Sequence, residues 1–144
     1  MKKVFSVLLC CGVCLSFAAC GANSTPGSDA AQDPTPPDLT GEWKQTNSDS
    51  DDSWQAATIT DDTIEVYWVS DNGDTKSLYW AGSFEAPTDD AESYTWESEN
   101  DHDKTDSALL ASPDDTKTFT YESGELSYEV SALGTTTTVR LEKQ

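Results

Sequence analysis

The part of the chain after residue 20 contains no cysteine, because all four cysteines of the 144 residues lie at positions 10, 11, 14 and 20. The whole chain has one histidine, His102, and it has neither a Gly-x-Ser-x-Gly motif nor a glycine-rich phosphate loop. These absences exclude disulfides and cysteine-based zinc sites beyond residue 20, and they remove the parts that serine hydrolases and P-loop proteins need. We therefore expect no enzymatic activity, no metal site and no cofactor.

Basic residues are also scarce, with eight Lys and Arg against 27 Asp and Glu. Lys2 and Lys3 precede Cys20 and every acid follows it, so the part after Cys20 has six basic and 27 acidic residues, a net charge of −21. Nucleic acids and anionic lipid headgroups attract clustered Lys and Arg, so neither is an expected partner. Two interpretations of the acidity stay open: a solvated surface, or an acidic face that captures a cationic partner.

Residues 1–19 have the pattern of a secretory signal peptide. Lys2 and Lys3 supply the positive start, and a largely apolar run follows from Val4 to Ala19. This run is too short for a comfortable permanent membrane span, which needs roughly 20 apolar residues. We expect residues 1–19 to be removed on export.

The end of that run, Phe17-Ala18-Ala19-Cys20, resembles the lipobox of bacterial lipoproteins, in which the cysteine after two small residues is lipidated. Phe17 departs from the leucine usual in that motif, and Leu15 lies two positions upstream. The resemblance implies that acyl chains such as palmitate on Cys20 anchor the protein to the cell membrane, facing the extracellular or periplasmic side. The alternative is an ordinary signal peptide cut after Ala19. The whole chain is similar to small acidic lipoproteins of actinobacteria and their prophages.

After Cys20 the sequence to Asp38 is rich in Pro, Ser and Gly and has almost no apolar residue. Such a segment cannot bury a core, so residues 20–38 are predicted to be the lipidated cysteine and a flexible linker. Residues 39–144 have the length of one acidic domain, which we expect to be monomeric.

Apolar residues in this domain recur at every second position, which predicts β-strands. Between the strand around Val66 and the strand around Trp80, the segment Ser70–Asp74 has the composition of a turn. An even loop would put Trp68 on the face of Tyr79. We predict an odd loop, because only an odd loop places the apolar residues of both strands on one face. These residues are Ile64, Val66, Trp68, Leu78 and Trp80.

The C-terminal third predicts a meander with two-residue turns at Ser123-Gly124 and Leu133-Gly134. These turns pair the large apolar residues with one another: Phe119–Tyr128, Tyr121–Leu126, Val130–Thr137, Tyr128–Val139 and Leu126–Leu141. Another hairpin turns at Asp61-Asp62, and further strands are expected near 41–45, 94–98 and 107–111, the last with a helical turn as the alternative. The all-β chain of eight or nine short antiparallel strands predicts a small meander barrel or a β-sandwich.

The segment Leu39-Thr40-Gly41-Glu42-Trp43 resembles the Gly-x-Trp start of lipocalin-like barrels. The resemblance implies that a late arginine, Arg140 on the last strand, packs over Trp43 and closes the barrel floor. It also implies a ligand inside the barrel.

Aromatic residues are the strongest indication of a binding site. Trp68, Trp80 and Trp96 are predicted to lie in the core, whereas Tyr67, Tyr79 and Trp54 are the candidate residues for an exposed aromatic platform that binds a ligand or partner. His102 is expected in a solvated loop. Two acidic segments offer oxygen ligands for calcium, but neither matches the spaced Asp pattern of a calcium loop: Asp49-Ser50-Asp51-Asp52, and Asp101 with Asp103 and Asp106.

The sequence therefore predicts a membrane-anchored surface lipoprotein whose non-enzymatic β domain binds an extracellular ligand or protein. A first alternative is a prophage-type superinfection-exclusion or inhibitor lipoprotein that acts on a protein partner. A second is a hydrolase that uses two carboxylates.

Overall fold

The computed structural model of the protein describes residues 35–144. The predicted signal peptide at residues 1–19, the lipidation site Cys20 and the linker up to residue 34 lie outside the described residues. Within 35–144, no helix is long and apolar enough to cross a membrane. The elements in chain order are β1 (Gly41–Gln45), β2 (Trp54–Ile59), β3 (Thr63–Ser70), a 3-10 turn (Asp71–Gly73), β4 (Thr75–Ser83), β5 (Ser93–Glu99), α1 (His102–Thr105), β6 (Thr116–Glu122), β7 (Glu125–Ala132) and β8 (Thr135–Lys143).

All eight strands belong to one antiparallel sheet in the order β4-β3-β2-β1-β8-β7-β6-β5. Strands that are consecutive in the chain pair with each other, except β4 and β5, which are the two ends of the sheet; β1 pairs with β8. The sheet curls into a half-barrel. The predicted all-β class and the antiparallel meander are confirmed, and the strands form one curled sheet rather than the two sheets of a sandwich.

The half-barrel has two ends that differ in their connections. Alternate connections of an antiparallel meander lie at the same end. The end where β1 finishes therefore carries the β1–β2, β3–β4, β5–β6 and β7–β8 connections, and we call it the open end. At the other end, the closed end, the chain enters β1, and Leu39 and Phe84 are buried there.

The curled sheet approaches closure between β4 and β5. Gly82 forms an isolated bridge with Asn100, and Trp80 Nε1 donates a hydrogen bond to Ser98 Oγ at 3.0 Å. A Cβ atom on Gly82 would lie 2.4 Å from the carbonyl oxygen of Glu99. The two strands can approach this closely because residue 82 has no side chain.

The β5–β6 connection covers the exposed edge of β4. The backbone N–H of Asp101 donates to the Ala81 carbonyl at 2.8 Å, and that of Ser112 donates to the Tyr79 carbonyl at 2.8 Å. The predicted strand at residues 107–111 is wrong, because this segment forms turns after α1. Its backbone groups bond locally; for example, the N–H of Ala108 donates to the Thr105 carbonyl at 3.0 Å.

A run of aromatic rings fills the interior. The ring centroids of Tyr94 and Trp96 are 5.6 Å apart, those of Trp96 and Phe119 are 5.3 Å apart, and those of Phe119 and Tyr128 are 5.1 Å apart. Trp80 is fully buried and Trp96 is 5% exposed, so their predicted place in the core is confirmed. Such rings bury large apolar areas, and paired rings add a modest attraction.

The C-terminal meander has the predicted register. Phe119 lies opposite Tyr128, and Val130 lies opposite Thr137, as the two turns require. Ser123-Gly124 and Leu133-Gly134 all have positive φ, as in the turns that match the twist of a hairpin. The predicted hairpin at Asp61-Asp62 is also present, with Ile59 opposite Ile64.

The β3–β4 hairpin corrects the predicted register. Ser70 pairs with Thr75, so the loop is even, and Trp68 lies opposite Ser77. A β-bulge between Val66 and Tyr67 then shifts the register, so that Val66 lies opposite Trp80 and shares a face with it, as predicted. The bulge turns Tyr79 inward and leaves Leu78 opposite Tyr67, so Leu78 is not on the face of Trp80.

Candidate functional site

A cavity of about 380 Å³ lies at the open end of the half-barrel, and we call it the mouth. Its walls come from β1, β2, β3, β7, β8 and the β1–β2 connection. Trp68 is 37% exposed in this cavity, although it shares the inward side of β3 with Ile64 and Val66. Its predicted burial is therefore wrong. The apolar part of the lining consists of Trp54, Trp68, Val130, Ala132 and Val139.

Gln55 lies among these apolar walls and is 1% exposed. In β2 it occupies the same inward register as Ala57 and Ile59, so the strand periodicity places an amide in the interior. The hydroxyl of Tyr128 donates a hydrogen bond to Gln55 Oε1, and the backbone N–H of Gln55 donates to Gln45 Oε1 at 2.8 Å. These contacts fix the position of the Gln55 side chain.

Tyr79, Tyr128 and Lys117 form a buried layer next to Gln55. The Tyr79 and Tyr128 rings stack with centroids 6.4 Å apart, and Trp68 contacts Tyr79 edge-to-face at 5.5 Å. Lys117 is 7% exposed; its Nζ lies 5.3 Å from the Tyr79 centroid and 3.3 Å from Asp114 Oδ2. Burial raises the pKa of the Tyr128 hydroxyl well above its usual value, so this hydroxyl keeps its proton.

The β1–β2 connection borders the mouth and is bonded to the β3–β4 turn. The backbone N–H of Asn72 in the β3–β4 turn donates to the Asp52 carbonyl of the β1–β2 connection at 3.1 Å. Asp49 is the one charged residue that lines the mouth in the described part of the chain. The mouth thus combines apolar walls, a buried amide and one acidic residue, Asp49.

The structure brings together two of the three predicted platform residues. Trp54 and Tyr67 line a shallow groove of about 460 Å³ on the outer face, together with Lys44 and Lys76. Trp54 also lines the mouth, whereas Tyr79 is buried inside the barrel, because the bulge turns it inward. The exposed platform of three rings predicted from the sequence is therefore not formed.

Within the outer groove, the aromatic rings are already engaged. Lys44 Nζ lies 4.0 Å from the ring centroid of Trp54, and the Tyr67 hydroxyl donates to Glu65 Oε2 at 2.6 Å. Burial, followed by the hydrogen bond to Glu65 and its charge, raises the pKa of Tyr67 to about 12. The Lys104 ammonium donates to Glu65 Oε1 at 2.8 Å, and this bond, with that from Tyr67, lowers the pKa of Glu65.

Trp43 and Arg140 do not form the predicted closing pair. Trp43 is buried, and its Nε1 donates to the Leu39 carbonyl at 3.0 Å. Arg140 lies between the inward residues Val139 and Leu141, so the strand alternation points it outward, where it pairs with Glu125. The Trp43 side chain therefore has the Leu39 carbonyl as its polar partner, and Arg140 does not pack over it.

The acidic segments and His102 form no preassembled metal centre. His102 is the first residue of α1 rather than a loop residue as predicted. Its Nδ1 lies 3.3 Å from Asp106 Oδ1, and its Nε2 lies 3.2 Å from Asp115 Oδ1. Among residues 35–144, no group of three His, Cys, Asp or Glu side chains lies close enough to hold a metal ion.

Gln55 is the site residue that the sequence interpretation missed. Its signal is a glutamine at a position where the alternation of β2 requires an apolar residue, in line with Ala57 and Ile59. A polar residue at an inward position must find a partner or line a cavity.

Comparison with known proteins finds no matching family model, no matching curated protein and no matching solved structure. The candidate site therefore rests on the geometry of this chain.

Proposed function

We propose that this chain is a non-enzymatic binding protein, anchored by a lipid on Cys20, that holds a small ligand in the mouth of its half-barrel outside the membrane. The observation that carries the proposal is a largely apolar cavity of about 380 Å³ in which Trp68 remains 37% exposed. Mouths of β-barrels are frequent sites for small ligands, and such sites combine apolar walls with a few placed polar groups.

The position of the linker supports an accessible mouth. The chain enters β1 at the closed end, so the open end lies on the opposite side of the half-barrel from the attachment point. A random coil of the length of residues 21–38 has a root-mean-square reach of roughly 20–25 Å. The acidic surface also repels an anionic membrane, which keeps the domain away from the headgroups.

The anchor is tested by metabolic labelling with an alkyne analogue of palmitate in a bacterial host. We expect the wild-type chain and a Cys14→Ser variant to be labelled and recovered in the membrane fraction. The Cys20→Ser variant is expected to lose the label. Equal labelling of the Cys20→Ser variant would contradict the anchor.

The mouth is tested with Nile red, an uncharged dye whose fluorescence rises in apolar sites, and the chain Gly21–Gln144. Thr137 lines the mouth, so Thr137→Trp fills it; Thr136 lies on the outer side of the same strand, so Thr136→Trp is the matched control. We expect the dye signal in the wild type and in Thr136→Trp, and its loss in Thr137→Trp. The same signal in all three proteins would contradict binding in the mouth.

A second candidate function is capture of a protein partner, as in prophage-type exclusion or inhibitor lipoproteins. It is favoured by large apolar residues in connections at the open end: Leu109 and Leu133 are fully exposed and Leu110 is 55% exposed. Exposed apolar patches often mark interfaces. Crosslinking on intact cells at low and high salt tests it, since association led by the acidic loops weakens as ionic strength rises.

A further inference from the structure

We infer that Gln55 is the polar anchor of the mouth, and that the ligand is an uncharged molecule with an apolar body and an acceptor oxygen, a carbonyl or hydroxyl. The oxygen accepts a hydrogen bond from Gln55 Nε2 while the apolar body contacts Trp68. This inference rests on the proposed function, because it names the ligand class for the same cavity.

The first step is the unused donor of Gln55. Its Oε1 accepts the Tyr128 hydroxyl, whereas its Nε2 donates no hydrogen bond to any of residues 35–144. The residue is 1% exposed and lines the mouth, so the remaining contact open to this amide is the cavity. A ligand without an acceptor would cover this donor and leave it unpaired, which costs free energy, whereas a ligand with an acceptor replaces the lost contact.

The second step is the orientation of the amide. Tyr128 is 3% exposed and its hydroxyl keeps its proton, which needs an acceptor. Gln55 Oε1 is that acceptor. The reversed amide would leave the Tyr128 proton without one, so the Tyr128 hydroxyl holds the N–H group of Gln55 toward the cavity.

The third step excludes an anionic ligand. Asp49 is the sole charged side chain in the described lining of the mouth, and the nearby buried cation, Lys117, is already paired with Asp114. A carboxylate or phosphate would therefore enter without a counter-charge, against a net charge of −21 after residue 20. An uncharged oxygen accepts the hydrogen bond without that cost.

A site of this kind discriminates by one hydrogen bond. A ligand that lacks the oxygen leaves the Gln55 donor unpaired beneath its apolar body. One net hydrogen bond corresponds to a preference of about 3- to 10-fold. The apolar walls set the size of the ligand, and the amide selects its functional group.

The test compares 4-phenyl-2-butanone with butylbenzene, which share a phenyl ring and a four-carbon chain and differ in the carbonyl. The probe is the ¹⁵N-labelled chain Gly21–Gln144, which keeps the compact unit Gln32–Gln144, checked for its β fold by circular dichroism. We expect both compounds to shift the Trp68 indole and Val130 signals. The ketone alone is expected to move the Gln55 side-chain N–H signal downfield and to bind about 3- to 10-fold more tightly.

Variants separate the amide from the walls. Gln55→Met and Gln55→Leu both remove the donor and are expected to abolish the preference for the ketone while both compounds still bind. Ser53→Ala removes another polar group of the lining and is the matched control, with the preference unchanged. If either Gln55 variant fails to fold, the other variant and the Gln55 N–H shift of the wild type still test whether Gln55 binds the ligand oxygen.

The outcomes distinguish the inference from the proposed function. Equal affinities, with shifted Trp68 signals and an unmoved Gln55 N–H signal, would overturn the role of Gln55 and leave the mouth as a binding site. No shift of any mouth signal at saturating concentrations of both compounds would overturn both.

Discussion

At the scale of single residues, the buried indoles of Trp80 and Trp96 differ in one hydrogen bond. Trp80 Nε1 donates to Ser98 Oγ at 3.0 Å, and both residues are fully buried at the point where β4 approaches β5. Trp96 Nε1 is buried as well, and it has no hydrogen-bond partner among the described residues. The bond between Trp80 and Ser98 is therefore a buried polar contact between the two ends of the sheet, in addition to the exposed bond from the Glu99 backbone N–H to Ser83 Oγ at 2.9 Å.

Replacing Ser98 by alanine removes the acceptor of the Trp80 indole. An unsatisfied buried N–H costs about 1–3 kcal/mol, so we expect the free energy of unfolding to fall by about that amount in urea titrations. Ser93→Ala, at the exposed start of the same strand, is the control and is expected to change it by less than about 0.5 kcal/mol. Equal effects of the two variants would contradict the role of the bond.

Tyr67 predicts a pH dependence in the alkaline range. Its pKa is about 12 in the folded protein, against 10.0 for an ordinary tyrosine. Because the folded value is the higher one, its stabilising contribution is complete below pH 10 and is lost as the pH rises through about 12.

Ultraviolet titration of the protein against a Tyr67→Phe variant measures this pKa directly. In a Glu65→Gln background we expect the Tyr67 pKa to fall, since the carboxylate that favours the protonated hydroxyl is gone. It should stay above 10.0, because burial is the largest cause of the shift. Ionisation of Tyr67 at its ordinary pKa in the wild type would contradict the assignment.

At the scale of elements, the β7–β8 turn contains a residue that is poorly suited to its backbone. Leu133 has φ +53° and is fully exposed, followed by Gly134. A left-handed conformation costs a residue with a Cβ about 1–2 kcal/mol, and asparagine tolerates it better than leucine does. The turn keeps its predicted place because the apolar pairs on both sides fix the register.

We expect Leu133→Asn to raise the free energy of unfolding by about 0.5–1 kcal/mol, measured by thermal and urea unfolding. Leu133→Ala is the control: it removes the exposed side chain but keeps the strain of a Cβ at positive φ, so no comparable gain is expected. A gain of the same size for both variants would assign the effect to the exposed leucine instead.

The elements also show how far the sequence predicts this molecule. The C-terminal registers follow from the sequence because each turn contains Gly and each register unites large apolar residues, as at Phe119 and Tyr128. The register of the β3–β4 hairpin could not be predicted in this way. The alternation of apolar residues distinguishes an odd loop from an even one only when the strands have no bulge, and here an even loop is combined with a bulge. That bulge decides whether Trp68 or Tyr79 fills the core, and so it decides where the mouth lies.

The site was only partly predictable for the same reason. Trp54 and Tyr67 line one outer groove, in agreement with the predicted platform. Tyr79 is buried in the core, because the bulge turns its side chain inward. The outward position of Arg140 could have been predicted from the sequence, because Arg140 alternates with the apolar residues Val139 and Leu141. The resemblance to lipocalin-like barrels led to the opposite prediction. Gln55 required knowledge of which side of β2 faces inward.

At the scale of the whole molecule, the acidic surface and the apolar mouth act on different ligands. A net charge of −21 after residue 20 keeps anions away at long range, whereas an uncharged ligand is not steered at all. We therefore expect ligand affinity at the mouth to be nearly independent of salt. Protein capture at the open end would be strongly dependent on it.

The central claim is that the mouth binds an uncharged ligand from the surroundings of the cell. The most direct measurement is the melting temperature of the chain Gly21–Gln144 and its Thr137→Trp variant with lipid extract, cell-wall fragments and glycan fragments of the host. A ligand at a hundredfold excess over its Kd stabilises by about 2.7 kcal/mol, a readily visible shift. The account predicts a higher melting temperature with one of these pools in the wild type and no rise in Thr137→Trp. No rise with any pool, or the same rise in both proteins, would contradict it.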